Sequence, residues 1–179
     1  MEHITIVIDR SVVAKYNKYY FKKYTSRRKS YFMSNWKSKR KNPKELYGVL
    51  SLNDLLPIAP RTYNSLKKQW KDFGIWLAKE YKLNNKKYKN AIIEYRTFAE
   101  TKAHKDNDNV IGGSKLLSDG LYVESGMFQD DSYYYINPII GSIEYDKENP
   151  RLEIRITICD EKVKDVYEKM QKHIKHFSK

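Results

Sequence analysis

Residues Arg151-Leu152-Glu153-Ile154-Arg155-Ile156-Thr157-Ile158 alternate between polar and apolar without a break. Successive side chains of a strand point to opposite faces, so Leu152, Ile154, Ile156 and Ile158 share one face. Glu153, Arg155 and Thr157 take the other. This is the pattern of a half-buried strand, expected here as one arm of an antiparallel hairpin behind a turn at Asp146–Pro150. One face of a sheet therefore needs a cover, and the rest of the chain must supply it.

The cover is legible as helices. Tyr63, Leu66, Trp70, Phe73, Leu77 and Tyr81 recur at steps of three and four, which predicts an amphipathic helix over 61–82, started near Pro60 and Thr62. A second helix is expected over 109–123 despite Gly112 and Gly113. A third is expected over 161–177, with Val163, Val166, Tyr167, Met170, Ile174 and Phe177 inward. Further strands are expected at His3–Asp9 and Ala91–Ala99, the latter with Ile93, Tyr95 and Thr97 on one face. Tyr133–Tyr145 reads as a strand pair, or as one strand bent near Pro138 and Gly141. The order predicts an α+β fold: one domain over residues 1–179, a mixed or antiparallel sheet, and helices on one face. Residues 10–60 resist assignment and form a long excursion, expected to be partly structured.

Charge narrows the function. The chain carries 35 Lys and Arg against 22 Asp and Glu. From Arg10 to Lys44 there are 13 bases and no acid, so this one segment supplies the whole net charge of +13. The densest basic runs are Arg27-Arg28-Lys29 and Lys37, Lys39, Arg40, Lys41. Interleaved with the bases are Tyr16, Tyr19, Tyr20, Phe21, Tyr24, Tyr31, Phe32 and Trp36. Cations bind phosphates and aromatic faces stack on exposed bases, so the segment reads as a nucleic-acid-binding arm.

Other classes drop out. Cys159 is the single cysteine, which rules out an intramolecular disulfide and every Cys-rich zinc framework. No apolar run reaches the roughly 18 residues of a membrane span. The first residues lack the pattern of a signal peptide, and a cytoplasmic location is expected, in a bacterium or a phage-infected host cell.

The chemistry concentrates in one window: Lys105-Asp106-Asn107-Asp108-Asn109, Lys115, Asp119 and Asp130-Asp131. Carboxylates that lie close repel, and pair with cations or metal. Asp106 and Asp108 would point to the same side at an extended strand end, and Asp131 would return near them after the helix. Oxygen-only ligation of this kind suits Mg²⁺, which keeps several waters and takes one or two carboxylates plus phosphate oxygens. Lys115 would face the phosphate or neutralise the acids. The competing reading is local: Asp108 or Asn109 simply caps the second helix. An EF-hand loop is excluded, because Val110 and Ile111 stand where it needs an acid or amide and then glycine. Gly112-Gly113-Ser114-Lys115 lacks the order of a phosphate-binding loop. His173 and His176 read as surface residues, and His104 precedes the window without an evident role.

These residues resemble the RusA family of crossover-junction endodeoxyribonucleases of phages and prophages. The shared pattern is a basic residue before Asp-x-Asp-Asn, a helix bearing Lys and then Asp-x-Leu, and a Gly-x-x-x-Asp-Asp turn. Here these are Lys105 to Asn109, Lys115, Asp119-Gly120-Leu121, and Gly126 to Asp131, with a similar closing strand at 151–158. The resemblance spans roughly residues 90–158, with a looser match for the first strand and first long helix. It implies a RusA-like fold and a homodimer that cuts four-way DNA junctions by paired nicks in recombination and repair. The cofactor would be Mg²⁺, with Mn²⁺ as a substitute. Asp106, Asp108 and Asp131 would bind the metal, Lys115 and Asn109 would support catalysis, and Asp130 would be an accessory acid. Two departures stand out. Ile111-Gly112-Gly113-Ser114 lengthens the gap before the helix Lys, and the basic excursion is longer than in compact members.

The alternatives are a non-enzymatic DNA- or RNA-binding protein using the basic arm, and a related nuclease that prefers flaps, forks or RNA. The acid set separates the first from an enzyme, because carboxylates near a phosphate weaken plain binding.

Overall fold

The computed structural model describes residues 2–23, 56, 59–102 and 106–159. The expected helix over 161–177, with His173 and His176, lies outside them. So do Arg27, Arg28, Lys29, Lys37, Lys39, Arg40, Lys41, His104 and Lys105.

The chain begins with strand β1 (Glu2–Ile8) and turns at once into helix α1 (Arg10–Lys23). Asp9 makes that turn. Its carboxylate accepts from the Val12 N–H at 2.9 Å and the Ser11 hydroxyl at 2.7 Å, satisfying donors that the first helical turn leaves open. Burial works to raise the Asp9 pKa, but these hydrogen bonds outweigh it and hold it below the ordinary carboxylate value. The start of the excursion is therefore a capped helix. This corrects the reading of its aromatics: Tyr16 and Tyr20 are buried, and the Tyr16 hydroxyl donates to Asp72 at 2.9 Å. Tyr16 lies against Phe73 and Trp76, with ring centroids 4.7 and 5.4 Å away. Tyr16 docks α1 on the helix of Phe73 and Trp76, and both tyrosines are buried and cannot stack on bases.

Helix α2 (Pro60–Glu80) has Pro60 in its first turn, where the missing N–H is no loss. Its apolar stripe is buried as expected at Leu66, Trp70, Phe73 and Leu77. The helix closes in a Schellman motif. The Leu83 N–H donates to Ala78 O at 2.7 Å and the Lys82 N–H to Lys79 O at 3.1 Å, with Lys82 at a left-handed φ of 57°.

Strand β2 (Ala91–Ala99) matches its expected bounds and leads through helix α3 (Asn107–Ser118) to strand β3 (Ile136–Tyr145). β2 and β3 run parallel, so this stretch is a β-α-β unit. Tyr133–Tyr145 thus yields one strand, with Pro138 on the sheet edge where a missing N–H does no harm. Strand β4 (Arg151–Ile158) follows a turn that Arg151 braces through Asp146 and the Asn149 carbonyl.

The expected β3–β4 hairpin does not form. The strand order is β1-β4-β2-β3, so β4 steps over β2 and lies between it and β1, antiparallel to both. The alternation of β4 still reports its environment correctly. Leu152, Ile154, Ile156 and Ile158 are buried in one core with Ile6, Ile8, Ile93 and Tyr95 and with residues of all three helices. On the other face Arg96 pairs with Glu144 and Glu153, and Arg155 with Glu94 and Glu153. The sheet is mixed and the helices pack on one face. Among the described residues no helix is long and apolar enough to cross a membrane.

Candidate functional site

The acidic window is built along α3, which starts over β3. An added Cβ on Gly141 would stand 2.9 Å from the Asn107 carbonyl, so only glycine lets the helix start come so close. Asp106 is the N-cap, in extended conformation, and Asp108 already lies in the first helical turn. The two therefore do not follow one another along an extended strand, and the expectation that alternation aligns them is corrected. Asn109 ties them together instead. Its side-chain amide donates to Asp106 at 3.3 Å, and its backbone N–H donates to Asp108 Oδ1 at 2.8 Å. Capping is also not as expected, because the cap position belongs to Asp106, whose carboxylate bonds no backbone N–H of the helix. Asp106 and Asp108 are exposed, and among the described residues no cation pairs with either.

Lys115 lies nine residues beyond Asp106, about 13 Å of helix rise. It binds the carboxylate of Asp131 directly and that of Asp119 at 3.0 Å. Burial works to lower the Lys115 pKa, but the hydrogen bonds and charges of Asp131 and Asp119 outweigh it, and the pKa is raised above the ordinary lysine value. Lys67 of α2 approaches the other oxygen of Asp119 at 3.4 Å. Of its two readings, Lys115 takes that of neutralising the acids. Asp130 accepts from the Asp131 N–H at 2.8 Å, which shapes the turn.

Two features hold this end in place. After Ser118 the helix widens into a π-turn (Asp119–Glu124), whose close is a hydrogen bond from the Ser125 N–H to Gly120 O at 3.2 Å. Gly120 rests on α2, where an added Cβ would stand 2.0 Å from the Lys71 carbonyl oxygen. Backbone meets backbone there, which puts Asp119 beside Lys67. Below it, the Tyr95 hydroxyl lies 2.8 Å from Ser118 Oγ and 2.9 Å from the Tyr122 hydroxyl, and both tyrosines are buried. Burial pushes the pKa of Tyr95 up, and that of Tyr122 well up, so both stay protonated and available as donors.

The fold thus brings Lys115, Asp119 and Asp131 together, and separately ties Asp106 to Asp108 through Asn109. Among the described residues no three His, Cys, Asp or Glu side chains are grouped to hold a metal ion. The oxygen-only donor set of Asp106 and Asp108 fits Mg²⁺, which asks for only one or two carboxylates beside water and phosphate. Asp131, expected in the same ligand set, is held by Lys115. Lys67, Tyr95 and Tyr122 were not legible as parts of the site. Lys67 sits on the polar side of a helix 52 positions from Asp119, and nothing local marks it. Gly120, inside a helical pattern, was the available signal for a close backbone contact. No protein-family model matches the chain, and no curated protein is detectably similar to it.

Proposed function

We propose that this chain is a divalent-metal-dependent endonuclease of branched DNA, resolving four-way junctions by paired phosphodiester hydrolysis as a homodimer. The observation that carries the reading is the use of α3. A single helix bears the Asp106-x-Asp108-Asn109 start and Lys115, and the chain returns Asp131 onto that lysine from 16 positions away. Separated parts of the motif thus act on one structural element. The tie through Asn109 holds Asp106 and Asp108 as paired oxygen donors at the helix start, where the helix dipole favours negative charge. Mg²⁺ bound there would lower the pKa of its water and stabilise charge on the phosphodiester. Lys115 holds Asp131 in place, and its exposure leaves it within reach of a phosphate once that pair opens. A twofold dimer would match the symmetry of the junction.

The test is a synthetic four-way junction beside a matched linear duplex, with Mg²⁺ or EDTA. Metal-dependent symmetric nicks in the junction, lost in Asp106→Asn and Asp131→Asn with binding retained, support the reading. Full cleavage by Asp106→Asn removes the metal assignment, and full cleavage by Asp131→Asn removes Asp131 from the catalytic set. Nicks on flaps or forks instead keep the metal site and discard the junction. A second reading, a non-enzymatic nucleic-acid-binding protein, is favoured by one observation: Lys115 and Lys67 already neutralise Asp119, and Lys115 also neutralises Asp131. Binding without nicks under Mg²⁺ or Mn²⁺ would establish it.

A further inference from the structure

Between Glu80 and Glu94 the chain carries Lys82, Lys86, Lys87 and Lys89 and no acid. All four are exposed, and among the described residues none pairs with a carboxylate. Because the chain outside the basic arm is neutral overall, composition hides this cluster. The loop is built rather than slack. The Asn85 N–H donates to Ser125 O at 2.9 Å, the Lys87 N–H to Gly126 O at 3.1 Å and the Tyr88 N–H to Met127 O at 2.8 Å. Tyr88 packs on Phe128, with centroids 6.0 Å apart, and its hydroxyl binds Glu2 at 3.3 Å. These bonds tie the loop to the turn that runs on into Asp130-Asp131.

The backbone conformation points the same way. Lys82, Asn85 and Lys87 all have left-handed φ, at 57, 59 and 53°. The helix end explains Lys82, and asparagine tolerates the region. Lys87 has no such excuse, and glycine would fit there without strain. The Gly126 and Met127 carbonyls hold this stretch of backbone in place, so Lys87 projects from a fixed point of the loop. The ladder continues from the Ala91 N–H to Tyr135 O at 2.8 Å. It sets Tyr133 and Tyr134 at the same end of the β2–β3 pair. The two residues are 62 and 65 % exposed, and their rings lie 4.0 Å apart, packed on each other and open to solvent.

We infer that the Lys82–Lys89 loop and the Tyr133–Tyr134 pair form a further nucleic-acid contact surface, with phosphates on the lysines and an unstacked base on the tyrosines. Fixed cations track a backbone, and an aromatic pair open to solvent accepts any base that leaves its stack. The inference rests on the reading above only in that the partner is nucleic acid.

The test uses the full chain, a fluorescent four-way DNA junction and a matched single strand, with affinity measured across salt concentrations. The variant Lys86→Gln, Lys87→Asn, Lys89→Gln removes three charges, and asparagine keeps the left-handed φ accessible. It should flatten the slope of log affinity against log salt by about 2 to 3, since each phosphate contact contributes about 0.9 on duplex. A control replacing the three lysines by arginine should keep the slope. Tyr133→Ala with Tyr134→Ala should weaken binding about tenfold at unchanged slope, because stacking carries no counterion term. An unchanged slope in the lysine variant of a chain that binds DNA overturns the surface alone. No DNA binding by the wild-type chain overturns both readings. A flattened slope in a chain that binds without cutting supports the surface and removes only the nuclease.

Discussion

The two ends of α3 treat their carboxylates in opposite ways. At the start, Asp106 and Asp108 are exposed, joined only through Asn109, and without a cation among the described residues. At the far end, Asp119 and Asp131 are drawn in by Lys115 and Lys67, on a turn braced by α2 and by buried hydroxyls. Exposed carboxylates without a counter-ion are open to one from outside, whereas acids already neutralised by lysines serve the scaffold. One helix therefore carries an open acidic site and a closed one. The closed one fixes the position of the helix that presents the open one.

The largest perturbation of this contrast should come from Gly120→Ala. A methyl group directed at the Lys71 carbonyl must push α3 off α2, at a cost of about 3 kcal/mol, read as a lower urea midpoint. Tyr95→Phe should follow. It leaves the buried Tyr122 hydroxyl without its partner and should cost about 1–2 kcal/mol. Hydrogen exchange should then speed up at Ser118–Ser125 before Asn107–Val110; the reverse order would mean the two ends are not independently braced.

Smaller effects belong to the charges themselves. Asp131→Asn should cost about 0.5–1 kcal/mol, the range of a partly exposed pair. The raised Lys115 pKa fixes the sign of a pH effect. The stability it contributes is fully present below the ordinary lysine value of about 10.4 and is lost as pH rises through the higher folded value. Thermal melts of wild type and Lys115→Met should therefore differ by a constant amount at neutral pH and converge in strong alkali. Asp106→Asn should change stability least, by no more than about 0.5 kcal/mol. It should still abolish any rise in melting temperature on adding Mg²⁺, while Asp119→Asn preserves that rise. If Asp106→Asn retained the Mg²⁺ response, the open site would not be where the ion binds.

The pattern of what was legible follows from the range over which each signal acts. Periodicity is local, and it located β2, the stripe of α2 and the buried face of β4. It could not tell which strand lies beside β4, because Ile154 pairs with Ile6 on one side and Tyr95 on the other through backbone bonds that leave no mark on side-chain order. The basic, aromatic composition of 10–44 concealed that Tyr16 and Tyr20 belong to the core, since a helix with a narrow apolar stripe and a loop with scattered aromatics have the same composition. The acids of the window were found, but their grouping was not. Whether Asp131 meets Asp106 or Lys115 depends on which end of α3 the returning chain reaches, and the contacts that hold that end, Gly120 on α2 and Tyr95 beneath, join residues distant in sequence.

The strand order also sets a timetable. Glu2 at the start of β1 faces Ile158 at the end of β4, so among the described residues the earliest strand is paired by the last one. Until β4 emerges, β1 has no strand neighbour among the described residues, while α1, α2 and the β2–α3–β3 unit can already assemble. Contacts this distant in sequence form slowly, and an unpaired β1 is a sticky edge throughout the wait. A nascent chain halted before Arg151 should hold its helices and remain unfinished at its own first strand. Closure of the sheet by β4 is then the step that commits the molecule.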